Sequence, residues 1–285
     1  MVINNDNFED NLDNVFARTY GVELLFEDYP LLSADRILDS LRVYCGNVEL
    51  ATNKENVLLF FFKDYLISFA EGDMPAQIAI MLSSEQLKDM SRLESSFVQS
   101  WRWRDVRSTV TKCRYTVLIT DFMASGLESQ KRMELFQKAL YAIVESCSCK
   151  AIHFRVSEQF IEPNDYLSNQ PNQPNYDIML GLMNVRLFNI ENTFSETVMD
   201  TLGLSALGLP DLQVHFNDLD VNEVANLLYT YGDYIFLNGD VIEDGNTIQG
   251  IEGKRWSCRH EVSLIHPNRV VLDIHPGDFA AGKRN

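Results

Sequence analysis

DTLGLSALGLPDLQVHF, residues 200–216, carries two glycines five residues apart, Gly203 and Gly208. Such a stretch is either the cradle of a phosphate or the hinge between two elements of the fold. A phosphate loop ends its glycine run in Gly-Lys-Ser/Thr, because the lysine and the hydroxyl serve the phosphates and the magnesium. Here Gly208 is followed by Leu209 and Pro210, so both chemical groups are missing. A glycine at a helix end adopts the left-handed conformation readily, and a proline shortly after it stops the helix. The pattern therefore predicts a helix over FSETVMDTLGLSALG, residues 194–208, ending in a tight apolar turn that leads into a strand, DLQVHF, at 211–216. The stretch is a hinge.

Outward from it, the second half continues as mixed α and β. GLMNVRLFNIEN precedes it as a strand, DVNEVANLLYTYGDYIF follows as a helix, and CRHEVSLIH with RVVLDIH forms a hairpin. The first half alternates in the same way. GVELLFED is a strand, and SADRILDSLRVY is a helix with Ser33 as its N-cap. GNVELAT and NVLLFFF are short strands around the turn-like NKEN, YLISFAEGD is a further extended segment, and AQIAIML is a strand. SSEQLKDMSRLESSF opens with serines suited to capping a helix. In WRWRDVRSTVTKC, Trp103, Val106, Val110 and Cys113 recur at steps of three and four, the stripe of a helix packed on a core. YTVLITD is a buried strand, ESQKRMELFQKALYAIVES the most convincing helix, and KAIHFRVS a returning strand. LSNQPNQPNYD, with two prolines, repeated asparagines and no apolar period, is the best linker. The fold class is α+β: two mixed, sandwich-like halves with helices packed on largely antiparallel sheets. The expected boundaries are 1–166 for an N-terminal α+β domain, 167–177 for the linker or long loop, and 178–285 for a C-terminal α+β domain.

Composition limits the function. The chain has 285 residues, and Asp+Glu 41 against Lys+Arg 24 gives a formal charge of -17. That field disfavours nucleic acid and anionic lipid and suits a basic protein partner. The first residues, MVINNDNFEDNLDN, are polar where a secretory signal has a basic start and an apolar run. The most apolar run, VLLFFFKDYLISFA, is broken by Lys63 and Asp64 and is too short to span a bilayer. Five scattered cysteines, an odd number, fit reduced thiols. The expectation is a cytoplasmic protein with no membrane and no nucleic-acid partner.

Catalytic and metal templates fail one by one. NGDVIEDGNTIQGIEGKRW, residues 238–256, holds four glycines, but counting from Asp240 the third and twelfth EF-hand positions are Ile242 and Ile251. It is expected to be a β-turn at Asp244-Gly245 within an exposed loop, the kind of segment that carries function. CSCKAIH offers Cys147, Cys149 and His153 without the spacing or fourth ligand of a zinc site. None of the five histidines sits in a metalloprotease or nucleophile-elbow context. His260 beside Glu261 on a strand is no dyad, since neighbours there point to opposite faces. WRWRDVR could stack bases and grip phosphates; the plainer reading is a helix whose tryptophan is buried while its arginines reach water or pair with nearby acids. No catalytic, cofactor or metal residues are assigned.

FVQSWRWRDVRSTVTKCRYTVLITD, LGLSALGLPDLQVHF and YGDYIFLNGDVIEDGNTI together resemble the bacterial family catalogued as domain of unknown function 4261, over residues 15–280. The resemblance implies a cytoplasmic bacterial protein with no established enzymatic activity and no catalytic residues to carry over. It also implies a setting, beside delivered toxins, in which small acidic α+β proteins serve as immunity factors. The reading that follows is a non-enzymatic acidic protein-binding module, an immunity protein that occludes the active site of a basic toxin or effector. Its expected partner-binding residues are exposed acids and an aromatic of the 238–256 loop: Asp240, Glu243, Asp244 and Trp256. The alternatives are an enzyme acting on a small molecule or peptide through Glu243, Asp244, His260 or His266, and an adaptor in a bacterial secretion or other assembly.

Overall fold

The computed structural model describes residues 19–282 apart from Glu55 and Phe194. They form two compact units, the first ending at Leu182 and the second beginning at Met183. The division falls a few residues after the expected linker. Leu167 and Ser168 end the helix Pro163–Ser168, and residues 169–177 form a loop within the first unit: Asn169 accepts from the Asp177 amide at 2.8 Å, and Gln137 Nε2 donates to Ile178 O and Leu180 O just beyond at 2.7 and 2.9 Å. Among the described residues no helix is long and apolar enough to cross a membrane.

The first unit is built on a seven-stranded sheet ordered β2-β3-β4-β5-β1-β6-β7, with every neighbouring pair antiparallel. The strands are β1 Gly21–Phe26, β2 Val48–Lys54, β3 Val57–Phe69, β4 Gly72–Leu82, β5 Tyr115–Thr120, β6 Ala151–Phe154 and β7 Gln159–Ile161. β3 joins the two extended segments of the sequence reading into one strand, its register shifting between Phe62 and Leu66. β1 is an interior strand, between β5 and β6, and all of it beyond Gly21 is buried, because both of its faces are covered. On one side Leu25 packs with Phe97, Val106, Val110, Cys113 and Phe160. On the other, Tyr20 meets Phe136 of the helix Ser129–Glu145 edge-on. The helix Ala34–Cys45 starts where Ser33 Oγ accepts from the Arg36 amide, and it buries Ile37, Leu41 and Cys45, one per turn. The stripe of Trp103, Val106, Val110 and Cys113 does lie on the core, although only Val106–Val110 is helical and turns flank it. The serine-capped helix expected after β4 is confined to Glu94–Gln99, behind an irregular segment.

The second unit holds a six-stranded sheet ordered β11-β12-β13-β10-β9-β8. These are β8 Asn184–Asn189, β9 Thr197–Leu202, β10 Asp211–Phe216, β11 Thr247–Gln249, β12 Arg255–Val262 and β13 Val270–His275. β10 and β13 run parallel and every other pair is antiparallel. The helix expected over 194–208 is instead strand β9, buried at every residue, followed by a 3-10 turn Leu204–Leu207. Val198 and Leu202 are four apart, which suits one helix face and one strand face equally, so apolar spacing did not discriminate. The turn itself is as expected: Gly203 and Gly208 both have positive φ, Gly208 in the left-handed region. The helix Val221–Asn238 starts where Asp220 accepts from the Asn222 and Glu223 amides, packs on β8, β9 and β10, and stops at Gly239.

Candidate functional site

The glycine turn of 200–216 does cradle an anion, and that anion belongs to the chain. Asp211 Oδ1 accepts from the Leu204 amide at 3.1 Å and from Thr201 Oγ1 at 3.0 Å; Oδ2 accepts from the Ser205 amide at 3.3 Å. Arg269 Nε donates to the same Oδ2 at 3.0 Å, and its Nη2 reaches Asp200 at 2.7 Å. Arg186 grips Asp200 with two parallel bonds of 2.9 and 2.7 Å and donates to His266 O at 3.0 Å. All four side chains are fully buried. Two guanidiniums answer two carboxylates, and further donors end on the Thr201 carbonyl and on carbonyls of the 265–267 segment. The cluster ties β8, β9 and β10 to the β12–β13 connection and offers nothing to a ligand. Neither arginine was singled out from the sequence, where an isolated Arg within an apolar strand carries no local sign of its partner.

On the surface of the same unit, the 239–246 loop is fastened by a histidine. His260 of β12 lies with Nδ1 2.8 Å from Asp244 Oδ1 and Nε2 3.1 Å from Asp240 Oδ1, and its amide donates to Asp244 as well. Burial alone would lower the imidazole's pKa, but the hydrogen bond to Asp244 and the charge of Asp240 raise it on balance. Asp244 is held below its ordinary range by the His260 amide and ring. With both ring nitrogens engaged by carboxylates, the imidazolium is favoured and no lone pair is left to take a proton from a substrate or to bind a metal. This is a charged clasp, and it argues against His260 as a general base. Glu261 takes no part; it stands near Arg259. His266 is elsewhere occupied, its Nδ1 accepting from the Asn268 amide at 3.1 Å.

Asp240, Glu243 and Asp244 are exposed as expected. Trp256 is not: its exposure is 1%, and it packs beneath Gly250, opposite Ile248 across the β11–β12 pair. The 238–256 stretch is thus a turn at Asp244-Gly245 followed by a β-ladder, and alternation along that ladder sends the indole inward. Exposed apolar surface next to these acids comes from residues of the preceding helix, to which the sequence reading gave no binding role. On the helix Val221–Asn238, Tyr234 and Leu237 share a face and are 44% and 59% exposed; Val241, just beyond the helix, is 49% exposed. Asp233, Asp240, Glu243 and Asp244, all exposed, surround them along the chain. The signal was available, as apolar residues on the side of the helix opposite Val224, Leu228 and Ile235.

In the first unit the structure assembles a serine, a histidine and a glutamate. Ser96 Oγ lies 2.9 Å from His153 Nε2, and His153 Nδ1 lies 3.2 Å from Glu23 Oε2, which also accepts from Arg92 at 3.0 Å. Burial opposes ionisation of Glu23, yet its bonds from His153 and Arg92 bring its pKa down to about 2. The order of groups is that of a hydrolase triad. The access is not: Ser96 is 2% exposed and the imidazole is stacked on Phe160 with centroids 4.5 Å apart. Ser100, one turn on, donates to Ser96 O and accepts from the Phe160 amide. These are the polar anchors of the helix Glu94–Gln99 on the sheet. The His153 of CSCKAIH therefore faces away from zinc chemistry, and among the described residues no three His, Cys, Asp or Glu side chains gather as ligands of one ion. In WRWRDVR, Arg107 is paired bidentately with Glu94 at 2.9 and 2.6 Å, as the plainer reading has it, and Arg102 lies over the exposed Trp101 ring.

Comparison with known proteins finds one likeness. Residues 200–275 match the family described as Domain of unknown function (DUF4261). That range covers β10, the helix Val221–Asn238, the clasp, the hairpin β12–β13 and all of the buried charge cluster except Arg186. The expected likeness at 97–121 lies outside it. No curated protein and no solved structure matches the chain.

Proposed function

From a chain whose residues 200–275 match the domain of unknown function 4261 family, we propose a non-enzymatic module that binds a basic protein, acting as an immunity protein toward a toxin or effector. The observation that carries this reading is the apolar surface of Tyr234, Leu237 and Val241 beside Asp233, Asp240, Glu243 and Asp244. Exposed apolar groups rimmed by charge of one sign are the anatomy of a binding patch, in which the aromatic and aliphatic groups supply affinity and the rim supplies steering. The clasp adds preorganisation: His260 fixes Asp240 and Asp244 before a partner arrives, so less conformational freedom is lost on binding. Trp256, buried beneath Gly250, is no contact residue.

The test is recovery of a stoichiometric complex with a protein encoded beside this one, using the full chain and a Leu237→Glu variant. Wild-type protein is expected to hold a basic partner, and Leu237→Glu to weaken it at least tenfold, a loss of about 1.4 kcal/mol or more. Equal capture by both proteins would remove this face from the reading.

A further inference from the structure

Cys147 and Cys149 flank Ser148 where the helix Ser129–Glu145 ends. All five cysteines are free thiols; four are buried and Cys147 is partly exposed. Cys147 lines an open cleft of about 380 Å³ whose walls are residues 26–32, Arg36, residues 146–148 and Lys150; Cys149 is buried behind it. Arg36 and Lys150 bring positive charge to it, and Glu27 and Asp28 negative charge. Cys147 Sγ lies 3.7 Å from Val144 O, and a hydrogen bond with the Cys149 thiol acts on its ionisation. That bond is the largest influence holding the Cys147 thiol below its ordinary pKa; burial opposes it and Arg36 assists. Cys149 is driven upward by the same bond, by burial and by the charge of Cys147. The pair therefore favours ionisation of Cys147, the sulfur that meets the cleft, over that of Cys149.

We propose that Cys147 and Cys149 form a peroxide-reactive dithiol, in which Cys147 is the sulfur oxidised and Cys149 the sulfur that resolves it. The Cys147 thiolate attacks one oxygen of hydrogen peroxide. The O–O bond breaks, hydroxide leaves, and the sulfur, oxidised by two electrons, becomes a sulfenic acid. Cys149 then attacks that sulfur: the S–S bond forms, the S–O bond breaks, and the departing hydroxyl leaves as water with the Cys149 proton. Thiolate, thiol and peroxide become a disulfide, one water and one hydroxide. The coupling sets the order of events. While Cys147 is charged, Cys149 keeps its proton; once Cys147 is a neutral sulfenic acid, its charge no longer opposes ionisation of Cys149. The other thiols serve as internal references, burial pushing Cys45 up to about 12 and Cys113 and Cys258 up to about 11.

The site lies in the first unit and stands independently of the binding reading. The experiment treats the reduced full-length chain with hydrogen peroxide, alkylates it with iodoacetamide and weighs the tryptic peptide 139–150, which carries both cysteines. The expected product is that peptide unalkylated and lighter by two hydrogens. Cys149→Ser is expected to accumulate a sulfenic acid at Cys147 that dimedone captures, and Cys147→Ser to leave Cys149 reduced. Without peroxide, Cys147 is expected to alkylate roughly tenfold or more faster than Cys113. Continued protection of Cys45 and Cys258 shows that each variant is folded, and the wild-type result needs no variant. The proposal is overturned by a peptide that stays fully alkylated after peroxide, by a disulfide joining two chains, or by equal alkylation of Cys147 and Cys113.

Discussion

Gly250 has ordinary backbone angles, so what requires a glycine there is space: a Cβ at that position would stand 2.3 Å from Trp256 Cδ2. Gly250→Ala must displace a fully buried indole, and overpacking of this kind costs about 1–3 kcal/mol. Urea midpoints and the near-ultraviolet signal of tryptophan would show it; an unchanged midpoint would mean that the indole is less constrained than its packing implies. At His260 the test is pH. The folded imidazole has a raised pKa, so its contribution to stability is complete below the ordinary value of 6.5 and fades as pH climbs through the raised folded value. It fades again in acid, as Asp244, held below its ordinary range, takes up a proton. The Tm difference between wild type and His260→Asn is therefore expected to be greatest near pH 5–6 and to shrink toward pH 9. A difference independent of pH would show that the clasp carries no charge.

At the scale of elements, the buried cluster decides how β8, β9, β10 and the β12–β13 connection stay together. Removing one partner leaves an unanswered charge where water cannot reach it. Asp200→Ala or Arg269→Ala is accordingly expected to destabilise the protein by about 3–5 kcal/mol, read as a lowered urea midpoint. A loss under about 1 kcal/mol would mean that the cluster is hydrated in solution. The same cluster explains why β9 was misread. Asp200 and Thr201 look like the polar side of an amphipathic helix, yet they are buried because Arg186, Arg269 and Asp211 await them. Elements whose signals are local were legible: Ser33 at a helix start, the turn at Asp244-Gly245, and the antiparallel pairing of β12 with β13.

For the molecule as a whole, the charge of -17 makes encounter with a basic partner sensitive to salt. Raising ionic strength from about 0.05 to 0.5 M shortens the Debye length severalfold, so the association rate is expected to fall at least tenfold while dissociation changes little. Stopped-flow association across that range measures it. A flat profile would assign binding to the apolar residues alone and leave the acidic rim without a part in steering.

Composition, caps and turn residues, read alone, determined an acidic α+β chain of two mixed halves, the failure of the phosphate-loop and EF-hand templates, and the exposure of Asp240, Glu243 and Asp244. Those features depend on neighbours within a few positions or on sums over the chain. Tertiary structure decided what distant residues do to each other. It filled the 200–216 turn with the carboxylate of Asp211, turned Trp256 inward, joined His260 to two aspartates, and set Ser96, His153 and Glu23 in line beneath Phe160. Burial and hydrogen-bond partnership are properties of contacts that close across tens of residues, and no spacing along the chain encodes them.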